Sequence, residues 1–341
     1  MTELFCIGNA MVDVFARVPP DFYGQFGLTA PIQHIDPVKA GEILAALQTC
    51  PPGNALDPAI SSGGGAANTA KIASVLGIRS AFAGAVGSDA FAGLFKEEME
   101  RSGVSLYLSS KKSSTGVFIS LNCENPDKKD KEGRCIAASP SAALEFDAED
   151  LTTIFSQSLL TDHLPRVVYI DGFLLNRERL MRCILELVEK YRLCFALDLG
   201  TVDIAAAQAA LARQGNSFFW DRKPRRFPMI LFFNEKEAEI FAKVLGAGWE
   251  SLFLNAAGYT SVLIAVKLAE RGTAVFSGGA VYHVKAEPVK AMESTGAGDA
   301  YAAGFLASWL RGENPPQCGQ AGNEAAALVL GSPGTSVLPF L

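Results

Sequence analysis

The stretch Thr295-Gly296-Ala297-Gly298-Asp299-Ala300 is a turn of small side chains that runs straight into an apolar helical stretch ending near Leu310. The first N–H groups of a helix have no intrahelical partner, and the helix dipole favours negative charge there, so such a start can hold an anion. The small residues Gly296, Ala297 and Gly298 let a phosphate approach the backbone closely. Asp299 lies in the first helical turn, where the dipole is expected to keep its carboxylate ionised. A carboxylate beside an anion hole suits phosphoryl transfer: it accepts the proton of an attacking hydroxyl while the N–H groups stabilise charge on the transferred group. The same residues also read as a helix cap after a glycine turn, and this motif alone leaves both readings open.

Three other groups carry chemistry. Gly63-Gly64-Gly65 precedes a helix in which Asn68 offers both a donor and an acceptor. Asn68 stands where a dinucleotide fingerprint needs its third glycine, and no Gly-Lys dipeptide occurs, so a P-loop is excluded. As a bare turn, the glycine run is more often a structural feature. Asn234 and Glu237, three apart at a strand end, share one helical face. There they can orient waters around Mg²⁺, or form the reciprocal box that starts a helix. Asp13 follows the first strand, in the place where α/β sheets put ligands; it can hold two vicinal hydroxyls or be a turn aspartate.

These residues need elements to position them. Strands are predicted at 4–8, 81–86, 167–170, 194–197, 229–233 and 261–266. Helices are predicted at 38–49, from the glycine run through Leu76, and at 177–191, 204–213, 235–245, 298–310 and 317–330. Strands alternating with helices imply βαβ units and a mostly parallel sheet. Segments near 14–36 and 104–138, with a solvated hairpin tip at 125–133, break that rhythm and suit a small separate β-layer. With 341 residues, 49% of them hydrophobic, the chain can bury a large core. A net charge of -6 argues against a general nucleic-acid binder. The basic run Arg222 to Arg226 reads as a solvated loop. The seven dispersed cysteines and three histidines show no zinc spacing. Free thiols in a reducing compartment are expected; Cys123 and Cys135 flank the hairpin tip, where they could face each other, although a disulfide is not expected. No leader pattern opens the sequence and no apolar run approaches the ~20 residues of a membrane span, so a cytoplasmic protein is expected.

Taken in this order, the motifs resemble the ribokinase-like (PfkB) family of carbohydrate and nucleoside kinases, and its adenosine-kinase branch in particular, over nearly the whole chain. The glycine-rich signature runs from Gly63 to Gly87 with Gly77 between, and the C-terminal signature is Gly296-Ala297-Gly298-Asp299. The resemblance implies a three-layer α/β/α fold with a mostly parallel central sheet and a small β-sheet lid. It implies one catalytic domain over 1–341, with the lid built from roughly 14–36 and 104–138. The implied activity is transfer of the γ-phosphate of ATP to a sugar hydroxyl. A nucleoside acceptor is the alternative, and a non-catalytic binding protein is the alternative of another class, disfavoured by the intact Asp299. By resemblance Asp299 is the base, and Gly296, Ala297 and Gly298 form the anion hole. Asp13, Gly63, Gly64 and Asn68 bind the acceptor. Asn234, Lys267, Gly272 and Asn323 serve ATP, and Asn234 with Glu237 serves Mg²⁺ through water. The family often binds a monovalent cation such as K⁺ near Glu293, which stands where Asp or Asn is usual. Ala269 replaces a usual glycine, and Asp198-Leu199 replaces the usual Asp-Pro. Expected partners are ATP and the small acceptor, with no nucleic acid and no membrane, in a monomer or a lid-mediated homodimer.

Overall fold

The computed structural model describes residues 2–19, 21–28, 32–49, 59–123, 133–156, 164–217, 220, 227–258, 261–289 and 295–331. The tip at 125–132, the basic run at 222–226, Glu293, Cys50 and His163 lie outside the described residues.

The chain opens with β1 (Leu4–Ile7), β2 (Met11–Val18), α1 (Phe22–Gln25), β3 (Ile32–His34), α2 (Pro37–Thr49), β4 (Ala59–Gly63) and α3 (Gly65–Val75). Next come β5 (Ser80–Val86), α4 (Ala90–Arg101), β6 (Ser105–Ser110), β7 (Gly116–Cys123), β8 (Gly133–Ser139) and α5 (Ala148–Ile154). A regular alternation follows: β9 (Val167–Asp171), α6 (Glu178–Tyr191), β10 (Cys194–Asp198), α7 (Val202–Arg213), β11 (Met229–Asn234), α8 (Glu235–Val244) and α9 (Trp249–Ala256). The last elements are β12 (Val262–Lys267), β13 (Thr273–Ser277), β14 (Ala280–Val284), α10 (Ala297–Leu310) and α11 (Pro315–Leu330).

The large sheet has nine strands in the order β14-β13-β12-β11-β10-β9-β1-β5-β6. It is parallel from β12 to β6, and β13 and β14 join antiparallel. Its central strands are apolar on both faces because both faces are covered. Within β11, Ile230 and Phe232 enter a core with α3, α10 and α11. Met229, Leu231 and Phe233 enter a second core with α5 to α9. That alternation of side chains produces the α/β/α layering.

The small sheet has five strands in the order β3-β8-β7-β2-β4. Its membership differs from the predicted segments at two points. β6 is the edge of the large sheet, because α4 carries the chain from β5 back to a parallel neighbour. β4, read in the sequence only as the approach to a glycine turn, pairs antiparallel with β2. In the β7–β8 ladder Cys135 lies opposite Leu121 and Cys123 opposite Gly133, so the two cysteines are not cross-strand partners.

Candidate active site

The chemistry-bearing residues meet at the carboxyl ends of the parallel strands. Gly8 and Asn9 follow β1, and Asp171, Asp198, Asn234 and Lys267 end β9, β10, β11 and β12. The chain leaves β1 toward β5 on one side and returns as β9 on the other, so the order reverses at β1, where open α/β sheets bind ligands.

Asp299 comes from the first turn of α10, whose start is Gly296 in a left-handed conformation (φ 82°) that favours glycine. The N–H groups of Ala297, Gly298 and Asp299 have no intrahelical carbonyl one turn back. The Asp299 carboxylate is held from the opposite chain end: Asn68 Nδ2 donates to its Oδ2 at 3.0 Å. Asn68 is placed by the turn at Gly64, where φ is 98° and a β-carbon would lie 2.2 Å from the Asn9 carbonyl oxygen. The bare backbone at Gly65 lets two carboxylates close over it, since a β-carbon there would lie 3.2 Å from both Asp171 Oδ2 and Asp299 Oδ1.

The dipole was expected to keep Asp299 ionised, and its surroundings reverse that. Burial pushes its pKa up to about 7, opposed by the Asn68 hydrogen bond, reinforced by Asp198 and Asp171 and partly offset by Lys267. Desolvation and like charge outweigh the dipole. The residue nonetheless keeps some exposed surface, unlike the buried Asp171 and Asp198. Burial likewise raises Asp171 to about 6, against the N–H groups of Ala66 and Phe173 that donate to it.

Lys267 Nζ donates to Asp198 Oδ2 at 2.6 Å. Burial works against its charge, but Asp198, Glu237 and Asp299 outweigh that and hold the ammonium above its ordinary value. A β-carbon at Gly298 would lie 3.4 Å from this Nζ, so the cation sits directly beside the glycine turn.

Asn234 and Glu237 form the reciprocal helix-start box of α8. The Asn234 N–H donates to Glu237 Oε2 at 2.8 Å, its Nδ2 donates to Oε1 at 2.6 Å, and the Glu237 N–H donates to Asn234 Oδ1 at 2.9 Å. Burial, with Asp198 adding and Lys267 opposing, raises Glu237 to about 7. The box therefore lies within electrostatic reach of Asp198 and Lys267.

Asp13 is buried on β2, against Gly63, where a β-carbon would lie 2.2 Å from its carboxyl. The pleat puts Phe15 on the same face of the small sheet, and the register puts Phe118 beside Asp13; both rings are partly exposed. From β8, Arg134 reaches across, its Nε donating to Ser120 Oγ at 3.1 Å and its Nη2 to Thr295 Oγ1 at 2.9 Å. Gly272 closes the β12–β13 turn, with a β-carbon position 2.1 Å from the Val284 carbonyl oxygen. Asn323, on α11, donates to the carbonyls of Val284 and Lys285 at 3.2 and 3.3 Å. In the same turn Ala269 adopts φ 53°, the left-handed region usually left to glycine.

Sequence reasoning passed over Asp171, and noted Asp198 only as a departure. A signal existed, since each ends an apolar strand at the edge where ligands bind. Lys71, Glu98 and Arg134 carried no such local signal, because their partners are 9, 36 and 161 residues away.

A nine-stranded, mostly parallel sheet between helical layers, with a small sheet beside its carboxyl edge and a glycine-led helix start, makes up a ribokinase-like fold. The model of the pfkB family carbohydrate kinases matches residues 38–340, and the chain belongs to that family. It is therefore a phosphotransferase of the kind that uses ATP on sugars or nucleosides. The chain is 25% identical over 260 residues to an uncharacterized sugar kinase of Archaeoglobus fulgidus, covering 74% of this chain and 91% of that protein. It is 23% identical over 291 residues to a nucleoside kinase of Methanothermobacter thermautotrophicus, covering 80% and 79%. The fold matches the adenosine kinase of Sinorhizobium meliloti with a TM-score of 0.74 at 24% identity, covering 99% of this chain and 98% of that one. The Trypanosoma brucei brucei adenosine kinase gives 0.77 at 19% identity, covering 97% and 99%. No helix among the described residues is long and apolar enough to cross a membrane.

Proposed function

We propose that the chain transfers the γ-phosphoryl group of ATP to a hydroxyl of a sugar, with Asp299 as the general base. The observation that carries this reading is the 3.0 Å hydrogen bond from Asn68 Nδ2 to Asp299 Oδ2. It joins two glycine-led helix starts, 231 residues apart, into one site with a carboxylate between them. Asp13, Gly63, Gly64 and Asn68 take the acceptor hydroxyls. The acceptor oxygen bonds to the γ-phosphorus as the bond from that phosphorus to the bridging oxygen of ADP breaks. The hydroxyl proton passes to Asp299, whose pKa of about 7 suits a base working near neutral pH.

Charge growing on the phosphoryl oxygens meets the N–H groups of Ala297, Gly298 and Asp299. Lys267 beside Gly298 and Arg134 beside Thr295 bring positive charge to the same turn. Gly272 and Asn323 shape the backbone at 284–286 on the nucleotide side. Magnesium, when bound to the polyphosphate, neutralises its charge. The donor set fits an ion held through water: both Glu237 oxygens already accept from Asn234, and among the described residues no three acidic, histidine or cysteine side chains gather as a direct metal site.

A nucleoside acceptor is the second reading. It is favoured by Phe15 and Phe118, two partly exposed rings on the face that carries Asp13, which can pack against a base. A coupled ADP-release screen against ribose, fructose, sugar phosphates, adenosine and other nucleosides, with and without K⁺, tests the reading. Acceptor-dependent, saturable ADP release is expected with at least one of them. Folded protein that releases no ADP across the panel overturns it.

A further inference from the structure

Ser62 lies on β4 opposite Val12 of β2, one residue before the glycine that supports Asp13. In an antiparallel ladder the N–H and C=O of one residue point to the same side. Both groups of Ser62 point away from β2, off the sheet edge, and each meets a charged side chain there. Glu98 Oε2, from α4, accepts the Ser62 N–H at 2.6 Å. Lys71 Nζ, from α3, donates to the Ser62 carbonyl at 2.6 Å and to its Oγ at 3.0 Å. Lys71 is buried, with 8% of its surface exposed. A buried ammonium is expensive unless opposite charge faces it. The charges facing it are Asp13 on β2, Glu98 on α4 and Asp299 on α10; they support the ammonium, but burial outweighs them and holds it below its ordinary value. Those facing Asp13 are Lys71 and Glu98.

We infer that Lys71 is a positioning residue for the acceptor: it pins β4 at Ser62, so that Gly63 lies under the Asp13 carboxyl, and its charge favours the ionised form of that carboxylate, which receives hydroxyl donors. Glu98 shares the clamp on Ser62 but acts on Asp13 with the opposite sign. The inference rests on the reading of Asp13 as an acceptor ligand. Burial raises the Asp13 pKa to about 7, with Lys71 opposing and Glu98 adding, so the balance between the two falls near neutral pH.

The test is equilibrium binding of the acceptor that the screen selects (ribose, D-fructose, a sugar phosphate, adenosine or another nucleoside) between pH 5 and 9. The measurement omits ATP, so no turnover occurs, and the Asp299→Asn background removes the titration of Asp299. Affinity falls as pH drops and Asp13 protonates. Lys71→Met is expected to move that acid limb up by about 1 unit or more, and Lys71→Arg to return it toward the parent. Glu98→Gln keeps an oxygen for the Ser62 N–H and is nearly isosteric, so it folds even if Lys71→Met does not. It is expected to move the limb down. Limbs that move the same way in Lys71→Met and Glu98→Gln, or an unmoved limb in Glu98→Gln, overturn the inference while leaving Asp13 as a ligand. Parent-like binding by Asp13→Asn in the same background overturns the acceptor reading, and the inference with it.

Discussion

Asp299 sits at the N-terminal end of a helix, which favours its anion, but its carboxyl is shielded from water and lies near Asp198 and Asp171, which disfavours it. The second influence is stronger, and its pKa reaches about 7. A base has to be ionised to accept a proton, so activity is expected to rise with pH through neutrality and then level off. Below about pH 6.5, kcat/KM for the acceptor should fall with a slope between one and two, because Asp13 protonates over the same range. A rate flat from pH 5.5 to 8 would place the base elsewhere. Asp299→Asn is expected to lower kcat by about 10²- to 10⁴-fold, the span attributed to general-base catalysis. The amide is nearly isosteric and the N–H groups of the turn remain, so KM for ATP should stay within a few-fold of the parent. Steady-state ADP release by the folded variant checks both numbers.

Two turns place these residues, and they treat the left-handed backbone in opposite ways. At Gly64 the chain has the residue that the conformation requires, and a β-carbon would also meet the Asn9 carbonyl at 2.2 Å. Gly64→Ala should therefore destabilise by roughly 1–3 kcal/mol, displace Asn68 and lower kcat/KM with it. At position 269 the chain carries Ala at φ 53°, so Ala269→Gly should be neutral or stabilising by up to about 1 kcal/mol. Urea unfolding midpoints measure both signs. These turns also mark the limit of what the sequence discloses. Gly64, Gly296 and the strand–helix alternation from Val167 onward follow from local rules of conformation and periodicity, and they were legible. So was the pairing of Asn234 with Glu237, since both partners lie within one turn. β4 was hidden, because the five residues Ala59–Gly63 become a strand only by pairing with β2. The Ser62 clamp and the reach of Arg134 to Thr295 were hidden for the same reason: each joins elements whose proximity is decided by the whole sheet order.

At the scale of the molecule, the site is a reservoir of unfavourable charge that the two hydrophobic cores hold in place. Asp13, Glu237 and Asp299 are each raised to about 7, and Asp171 to about 6. In the unfolded chain these groups return to ordinary values of 3.8 for Asp and 4.5 for Glu. Between those values and 7 the folded state binds more protons than the unfolded state, so stability must fall as pH rises through that window. The stabilisation is fully present below the unfolded values and is lost as pH climbs through the folded ones. Asn mimics the protonated form, so Asp13→Asn and Asp299→Asn should each raise stability at pH 8, by roughly 1–2 kcal/mol after allowing for solvent relaxation. The gain should shrink below pH 7 and vanish only below about pH 3, under the unfolded values, where the parent's own carboxylates are protonated in both states. Chemical denaturation of the parent and both variants at pH 4.5, 6 and 8 measures this. A gain equal at all three values would trace the effect to packing. An absent gain at pH 8 would mean that the carboxylates are already paired within the free protein, and that the cluster holds no unfavourable charge for bound cations or hydroxyls to relieve.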